Sequence, residues 1–187
     1  MIKKWKVKIP SLSGDADRMA YIYLPASYQK EPDQRYPVMY MFDGHNVFYD
    51  EDATYGKSWG MNKFMIESKK QLIIVAVECN HEGNRRIVEY SPLTYENSSM
   101  GKIKGKGSVY MNWLVNTLKP YIDANYRTLP DRKNTIICGS SMGGLMALYG
   151  VCAYNHIFQR AACLSPSLWV APGKVLEMVA RSHIRRD

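Results

Sequence analysis

One pentapeptide constrains the fold of this chain more than any other segment: residues 139–143 read Gly-Ser-Ser-Met-Gly. The pattern Gly-x-Ser-x-Gly is typical of a serine on a sharp turn between a strand and a helix. The flanks agree with this context, because residues 134–138 are apolar and strand-like and residues 145–152 are rich in helix formers. A chance match is the alternative, and it would not predict this strand–turn–helix context.

The central serine of this turn is a candidate nucleophile. The turn lifts the hydroxyl of Ser141 above the sheet, and Gly139 and Gly143 leave room for neighbouring backbone to approach closely. The helix that follows points its N-terminus at the serine, where free amides favour developing negative charge. The amide of Met142 is therefore the predicted first donor to an oxyanion.

Composition indicates a single domain of 187 residues. No run approaches the roughly 18 consecutive apolar residues of a membrane span, so no membrane partner is predicted. Residues 1–10 alternate lysine with Ile, Trp and Val and lack the apolar core of a signal peptide, which favours a strand and a cytoplasmic location. The cysteines lie in apolar segments without metal-like spacing and are interpreted as buried free thiols: Cys79, Cys138, Cys152 and Cys163. No metal or organic cofactor is predicted.

The formal net charge of +8 raises the question of nucleic acid binding. The lysines and arginines are spread along the chain, and no zinc-finger spacing or RNA-binding signature accompanies them. An anionic substrate or a solvated face explains the charge with fewer assumptions. We therefore expect no nucleic acid partner.

Two nearly continuous apolar runs, residues 36–42 and 71–79, predict strands that are buried on both faces. Segments 4–9 and 19–24 alternate with period two and predict a leading antiparallel hairpin. Further strands are expected at 134–138 and 160–165, and helices at 62–70, 108–126 with a disturbance at Pro120, 143–153 and 174–184. Strands that alternate with helices predict a three-layer α/β fold with a mostly parallel sheet.

The loop after the strand at 36–42 is the candidate source of a second oxyanion donor, because the strand–serine–helix architecture supplies the donor there. Its sequence is Asp43-Gly44-His45-Asn46, and Gly44 allows the backbone to turn. The amides of Gly44 or His45 are the predicted donors. An ordinary strand-ending turn is the alternative, since Asp-Gly pairs are common turn residues.

Besides the serine turn, further segments occur in a characteristic order: Tyr23-Leu24-Pro25 with Tyr28, Tyr36-Pro37-Val38 through Asp43-Gly44, Ser58-Trp59-Gly60, Arg86 with Glu89-Tyr90-Ser91-Pro92, Phe158, and Leu164-Ser165-Pro166-Ser167. Together they cover about residues 17–170. Their joint order resembles the putative-esterase family of α/β-hydrolases, which includes feruloyl and acetyl-xylan esterases, S-formylglutathione hydrolases, siderophore esterases and mycolyltransferases. The resemblance implies ester hydrolysis with Ser141 as the nucleophile and an oxyanion hole formed by Met142 with Gly44 or His45.

The resemblance also implies which residues border the substrate pocket. Trp59 and the segment at 165–169, with Ser165 and Trp169, would contact the acyl or alcohol group. Core packing is the alternative for Trp59. Arg86 and Glu89 are interpreted as a structural ion pair within their loop.

The chain departs from the family in the catalytic partners of the serine. The family order is serine, then an acid, then a histidine, and after Ser141 the only histidines are His156 and His183. Glu177 and His183 have the right order, but in one predicted helix they lie about 240° apart around its axis and would not converge on the serine. His156 is expected at the far end of the helix that follows the serine, which leaves His45 as a candidate substitute base.

Two explanations compete for the missing acid and base. The chain is either part of a longer esterase that has further strands, or a complete protein that has lost its triad. No Gly or Pro stop signal follows the last predicted helix, which favours the first explanation. The strand at 160–165 would then be an exposed apolar edge, so self-association through this edge is expected.

These observations lead to a serine carboxylesterase that hydrolyses small or carbohydrate-linked esters through an acyl-enzyme, impaired by the absence of the acid and the histidine. Two alternatives stay open. A non-catalytic module would bind a carbohydrate ester or an anionic ligand in the same pocket without turnover. An acyltransferase would pass the acyl group to an alcohol acceptor.

Overall fold

The computed structural model describes residues 1–185, in which the strands form a six-stranded sheet and a separate hairpin. The strands are β1 Ile2–Lys8, β2 Asp17–Tyr23, β3 Val38–Phe42, β4 Ile73–Val77, β5 Thr94–Asn97, β6 Gly101–Lys104, β7 Thr135–Ser140 and β8 Arg160–Leu164. The order across the large sheet is β1-β2-β4-β3-β7-β8, and β5 pairs with β6.

Helices connect these strands: α1 Pro10–Ser13, α2 Ser27–Lys30, α3 Met61–Ser68, α4 Arg85–Glu89, α5 Gly107–Trp113, α6 Lys119–Asn125, α7 Met142–Ala153 and α8 Pro172–Ala180. Short 3-10 turns are formed by Gly44–Asn46, Arg132–Asn134 and Leu168–Val170. Within residues 1–185, every helix is too short or too polar to cross a membrane.

The directions of the strands confirm the predicted α/β fold. β1 and β2 form the leading antiparallel hairpin, and β2 continues antiparallel to β4. The four strands β4, β3, β7 and β8 run parallel to one another. The sheet is therefore mostly parallel, as the doubly apolar runs predict.

The core lies on both faces of the central strands. All five residues of β4 are buried, and successive side chains alternate between the two faces. Ile73 and Val75 pack in a large cluster that includes side chains of α5, α6 and α7, whereas Ile74 and Ala76 pack in a smaller cluster with Met65 of α3. Burying one such aliphatic side chain contributes about 1.5–3 kcal/mol, so helices on both faces stabilise the sheet.

Pro120 disturbs the long helical segment because proline has no backbone N–H to donate. A π-helical turn, Leu114–Leu118, lies between α5 and α6, and Pro120 occupies the first turn of α6. A proline in a helix interior removes one backbone hydrogen bond and its ring clashes with the carbonyl four residues earlier. The wider turn directly before the proline falls where that carbonyl lies, so the helix continues in a new register rather than ending.

The structure differs from the sequence prediction in its last helix and in one hairpin. α8 ends at Ala180 instead of 184, so His183 lies outside the helix that contains Glu177. The hairpin of β5 and β6 was not predicted, because its short polar strands bury few large side chains, such as Tyr95 and Ile103. The four- and five-residue helices α1, α2 and α4 were also not predicted.

Candidate active site

The turn after β7 holds Ser141 in a strained backbone conformation. Its φ is 57° and its ψ is −119°, a region that residues other than glycine rarely adopt. Ser141 N donates to Leu164 O at 3.0 Å, and Ser167 N donates to Ser141 O at 3.0 Å. The side-chain oxygens of Ser141 and Ser167 are 3.1 Å apart. The segment after β8 thus holds the backbone and the hydroxyl of Ser141 in place.

Close backbone contacts explain the two glycines of the turn. A Cβ atom on Gly139 would lie 2.3 Å from the carbonyl oxygen of Gly143, which is a clash. A Cβ atom on Gly143 would lie 3.0 Å from Cβ of Phe42 on β3, which is tight. The glycines therefore allow α7 to begin directly after the serine. The amide of Met142, in the first turn of α7, has no carbonyl partner inside the helix and is available to an oxyanion.

The loop after β3 also begins with a tight turn. Asp43 adopts a left-handed conformation, with φ 57° and ψ 51°, and the 3-10 turn of Gly44–Asn46 follows it. A Cβ atom on Gly44 would lie 2.8 Å from backbone atoms of Ala76 and Val77, so glycine lets the loop lie against β4. The amides of Gly44 and His45 open the turn and have no carbonyl partner within it. Their role as oxyanion donors stays a prediction.

Two ion pairs fix the loops around the site, and they correct the predicted pairing of Arg86 with Glu89. Arg86 instead forms two hydrogen bonds of 2.7 Å to the carboxylate of Asp43. Glu89 receives two hydrogen bonds of 2.8 Å from Arg18, and both side chains are buried. Because they are close in sequence, Arg86 and Glu89 were expected to pair within their loop. In the structure, Arg86 reaches the residue that follows β3, and Glu89 reaches β2. The Arg86 pair thereby ties α4 to the loop that contains Gly44.

A cavity of about 480 Å³ opens where β3, β4 and β7 end. Carboxyl ends of parallel strands are where open α/β sheets bind ligands. Ser141, His45 and Trp59 line this cavity, and Trp59 also packs against the smaller core cluster. Ser165 and Trp169 do not line it: Ser165 adopts a left-handed φ of 40°, and the side chain of Trp169 is 71% exposed.

Two histidines and a cysteine also line the cavity. Nε2 of His45 lies 3.0 Å from Oγ1 of Thr54, and Nε2 of His81 lies 3.5 Å from the carboxylate of Glu78. The two imidazole rings pack edge to face with centroids 4.5 Å apart, and Nδ1 of His81 lies 4.0 Å from Sγ of Cys79. Burial and the proximity of His81 lower the pKa of His45, whereas burial raises the pKa of Cys79. No sequence motif marks this cluster, because its members follow two different strands, β3 and β4.

The histidines that follow Ser141 lie away from it. His156 comes after the C-terminal end of α7, whose 12 residues separate it from the serine by roughly 18 Å. The backbone carbonyl of His183 accepts a hydrogen bond from Asn155 at 2.9 Å, next to the same helix end. Glu177 pairs on the surface of α8 with an arginine four residues on. Within residues 1–185, no imidazole hydrogen-bonds to the Ser141 hydroxyl.

The parallel sheet, the strained serine between β7 and α7 and the cavity at the strand ends define an α/β-hydrolase-like fold. Residues 11–185 match the model of a family described as "Putative esterase". The match covers most of the chain, and the chain therefore belongs to this family. The resemblance found in the sequence is confirmed.

A curated relative is similar to this chain in sequence, and several solved structures share its fold. The uncharacterized protein YbbA of Bacillus subtilis (strain 168) is 23% identical over 155 residues, which are 82% of this chain and 58% of YbbA. The crystal structure of the BES protein from Bacillus cereus is 26% identical with a TM-score of 0.70, covering 95% of this chain and 65% of BES. An IroE-like serine hydrolase from Shewanella oneidensis is 20% identical with a TM-score of 0.73, and the match covers 96% of this chain and 54% of that hydrolase.

A ferulic acid esterase from Anaeromyces mucronatus is 22% identical with a TM-score of 0.60, and the match covers 89% of this chain and 58% of that enzyme. The chain thus spans less than two thirds of the length of each of these proteins. What those longer proteins do is therefore carried over to this chain only as a proposal.

Proposed function

We propose that this protein is a serine carboxylesterase in which Ser141 is the nucleophile. The observation that carries the proposal is the backbone of Ser141, whose φ of 57° is held by hydrogen bonds to Leu164 and Ser167. Strained backbone of this kind persists only where the surroundings fix it, and it clusters at active sites. Membership of the esterase family supports ester hydrolysis as the reaction class.

In the proposed reaction, Oγ of Ser141 attacks the carbonyl carbon of an ester, and its proton passes to a general base. The alcohol leaves as the acyl-enzyme forms, and water then releases the acid and restores the serine. The amide of Met142, together with the amide of Gly44 or His45, donates to the oxyanion. Each donor of this type is worth about 10²–10³-fold in rate.

The general base is the part of the machinery that the described residues do not supply in contact with Ser141. His45 is the candidate among them, because it lines the same cavity and its lowered pKa keeps the ring neutral and able to accept a proton. A serine hydrolase without a positioned base retains about 10³–10⁴-fold over water from the oxyanion hole and binding. We therefore propose that hydrolysis by this 187-residue chain is slow.

Covalent labelling tests the nucleophile. A fluorophosphonate probe should label Ser141, and the label should be lost in Ser141→Ala. Ser140→Ala is the matched control, because it changes the neighbouring serine and leaves the turn intact. Peptide mapping should place the label on residue 141, and labelling that persists in Ser141→Ala would overturn the proposal.

The substrate class proposed is a small or carbohydrate-linked ester. The ferulic acid esterase that shares the fold supports this choice. Hydrolysis of acetyl and feruloyl esters, compared by product release in wild type and Ser141→Ala, tests it. Ligand binding without turnover would identify a non-catalytic module, and a product ester with an added alcohol would identify an acyltransferase.

We also propose that the chain self-associates through β8. This strand pairs with β7 on one side only, and large apolar side chains nearby are exposed, among them Leu164, Leu168 and Trp169. An unpaired strand edge is a template for pairing with a second chain. Light scattering across a concentration series should show a dimer. Hydrogen exchange should show that the β8 amides are protected in this dimer. A monomer at all concentrations would contradict the proposal.

A further inference from the structure

A cluster of metal-ligating side chains lies beside the serine turn, and the proposed ester hydrolysis gives a role to only one of its members, His45. One candidate ligand atom from each of His45, Cys79 and His81 lies within 4.8 Å of the other two. His45 follows β3 and Cys79 follows β4, and these strands are parallel neighbours, so their carboxyl ends bring the residues together. His81 reaches the same place from the loop after β4. We refer to these three residues as the His-Cys-His cluster.

Nε2 of each imidazole lies beside a polar group outside the cluster. Nε2 of His45 faces the hydroxyl of Thr54 at 3.0 Å, and Nε2 of His81 faces the carboxylate of Glu78 at 3.5 Å. In metal sites a histidine ligand typically donates its other N–H to such a group, which fixes the tautomer and the orientation of the ring. In each ring of the His-Cys-His cluster such a group lies beside Nε2, which leaves Nδ1 as the candidate ligand nitrogen.

Within residues 1–185, Nδ1 of His45 has no hydrogen-bond partner. The side chain of His45 is buried, with 4% of the residue exposed, and no hydrogen bond satisfies its Nδ1 among the residues that the structure describes. A buried polar atom without a partner costs about 1–3 kcal/mol, and packing of two histidines alone does not account for that cost. A bound cation would use this lone pair, and His45 would then no longer be free to act as the general base.

We propose that His45, Cys79 and His81 bind a transition-metal ion, with Zn²⁺ as the best fit. Two imidazoles and a thiolate suit zinc, and three protein ligands are the number found in catalytic zinc sites, where water or substrate takes the fourth position. Ligand atoms around a tetrahedral zinc ion lie about 3.3–3.6 Å apart, given bonds of about 2.0–2.3 Å. In the cluster, Sγ of Cys79 and Nδ1 of His81 are 4.0 Å apart and all three ligand atoms lie within 4.8 Å of one another, so binding would draw the side chains together by up to about 1 Å.

Binding converts the thiol of Cys79 into a thiolate: the metal–sulfur bond forms as the S–H bond breaks, and the proton passes to the buffer. The two imidazoles bind as neutral ligands, and no electron transfer is involved. Because Ser141 lines the same cavity as the His-Cys-His cluster, the open coordination position would be available to a water molecule or to a substrate oxygen near the serine.

Cobalt is the probe, since Co²⁺ replaces zinc and its bond to a thiolate gives a charge-transfer absorption in the near ultraviolet. Titration of reduced, metal-free protein with Co²⁺ should saturate at one ion per chain, and Zn²⁺ should displace the absorption. Cys79→Ser should abolish the absorption, and His81→Ala should weaken binding strongly. Glu78→Gln, which changes only the group behind His81, should weaken it by about 10–100-fold.

Cys152→Ser and His156→Ala are the matched controls, because they remove a buried thiol and an imidazole that lie outside the cavity. Both should bind Co²⁺ as the wild type does, and so should Ser141→Ala, which separates this proposal from that of the esterase. Circular dichroism establishes that each variant is folded. Absence of the charge-transfer absorption, or an absorption that survives Cys79→Ser in a folded protein, would overturn the proposal.

Discussion

The central strand β4 and the edge strand β8 differ in how deeply their residues are buried. Every residue of β4 is buried, whereas the first and last residues of β8 are exposed and the three between them are half-buried. Of the eleven large apolar side chains that are exposed in the described residues, six lie between Leu164 and Ile184. Yet the backbone of Ser141 is held by Leu164 and Ser167, at this weakly packed edge. The burial that stabilises the sheet and the contacts that fix the backbone of Ser141 therefore lie in different regions.

The largest expected difference between the regions concerns their ion pairs. Glu89→Gln leaves the buried guanidinium of Arg18 without a counter-charge and should cost about 3–5 kcal/mol of unfolding free energy. Glu177→Gln breaks an exposed pair on α8 and should cost no more than about 1 kcal/mol. Urea unfolding followed by circular dichroism measures both. Equal losses would mean that the two regions do not differ in this respect.

Truncation of an aliphatic side chain should give the next largest difference. Ile74 of β4 is completely buried, and Ile74→Ala should cost about 2–5 kcal/mol because it leaves a cavity. Leu176 of α8 is 71% exposed, and Leu176→Ala should change the unfolding free energy by less than about 0.5 kcal/mol. Urea unfolding followed by circular dichroism measures both changes in unfolding free energy. A loss above about 1 kcal/mol for Leu176→Ala would show that α8 is covered in solution.

Two glycines sharpen the comparison at a smaller scale. Gly44→Ala would place a methyl group 2.8 Å from the backbone of β4, which should cost about 1–3 kcal/mol and slow fluorophosphonate labelling by displacing the loop. Gly173→Ala meets no atom within 4 Å in the first turn of α8 and should stabilise the protein by up to about 1 kcal/mol. Thermal melts measure both changes. Destabilisation by Gly173→Ala would indicate that the added methyl group meets other atoms near α8 in solution.

The smallest effect concerns two thiols on adjacent strands. Burial raises the pKa of Cys138 on β7 from 9.0 to about 11, and the thiolate is the reactive form. Iodoacetamide at pH 8 should therefore modify the half-buried Cys163 of β8 before Cys138, and reaction of Cys138 should increase only as the pH approaches 11. Because the folded pKa of Cys138 is raised, its contribution to stability is present below pH 9 and is lost as the pH rises towards 11.

Peptide mapping by mass spectrometry measures the two labelling rates, and Cys163→Ser is the control in which only the edge thiol is removed. Cys138 should stay unmodified at pH 8 in this variant. Modification of Cys138 as fast as Cys163 in the wild type would contradict the difference in burial between β7 and β8.

Local patterns predicted most of the fold and one half of the candidate site. The continuous apolar runs predicted β3 and β4, and the Gly-x-Ser-x-Gly turn predicted the position of Ser141 and the start of α7, because these signals reside in neighbouring residues. The His-Cys-His cluster could not be predicted in this way. His45 and Cys79 are far apart in sequence, and only the adjacency of β3 and β4 brings them together. The strand order, if known, would have shown that both residues follow the carboxyl ends of neighbouring parallel strands.

Pairing of charges was harder to predict than the strands. Arg86 and Glu89 are three residues apart, and a local ion pair was the simplest interpretation of their spacing. The structure sends Arg86 to Asp43 and Glu89 to Arg18, at sequence separations of 43 and 71 residues. Burial decides this, since a buried carboxylate requires a buried partner wherever the chain supplies one.

The hydrogen bonds between Ser141 and the segment after β8 have a consequence for the order of folding during synthesis. The turn at Ser141 is complete in sequence once α7 has been made, but its backbone is fixed by Leu164 O and Ser167 N, which are translated later. A nascent chain that ends before residue 167 lacks those two contacts. The backbone of Ser141, the proposed nucleophile, is therefore expected to become fixed only after β8 has been made and has paired with β7.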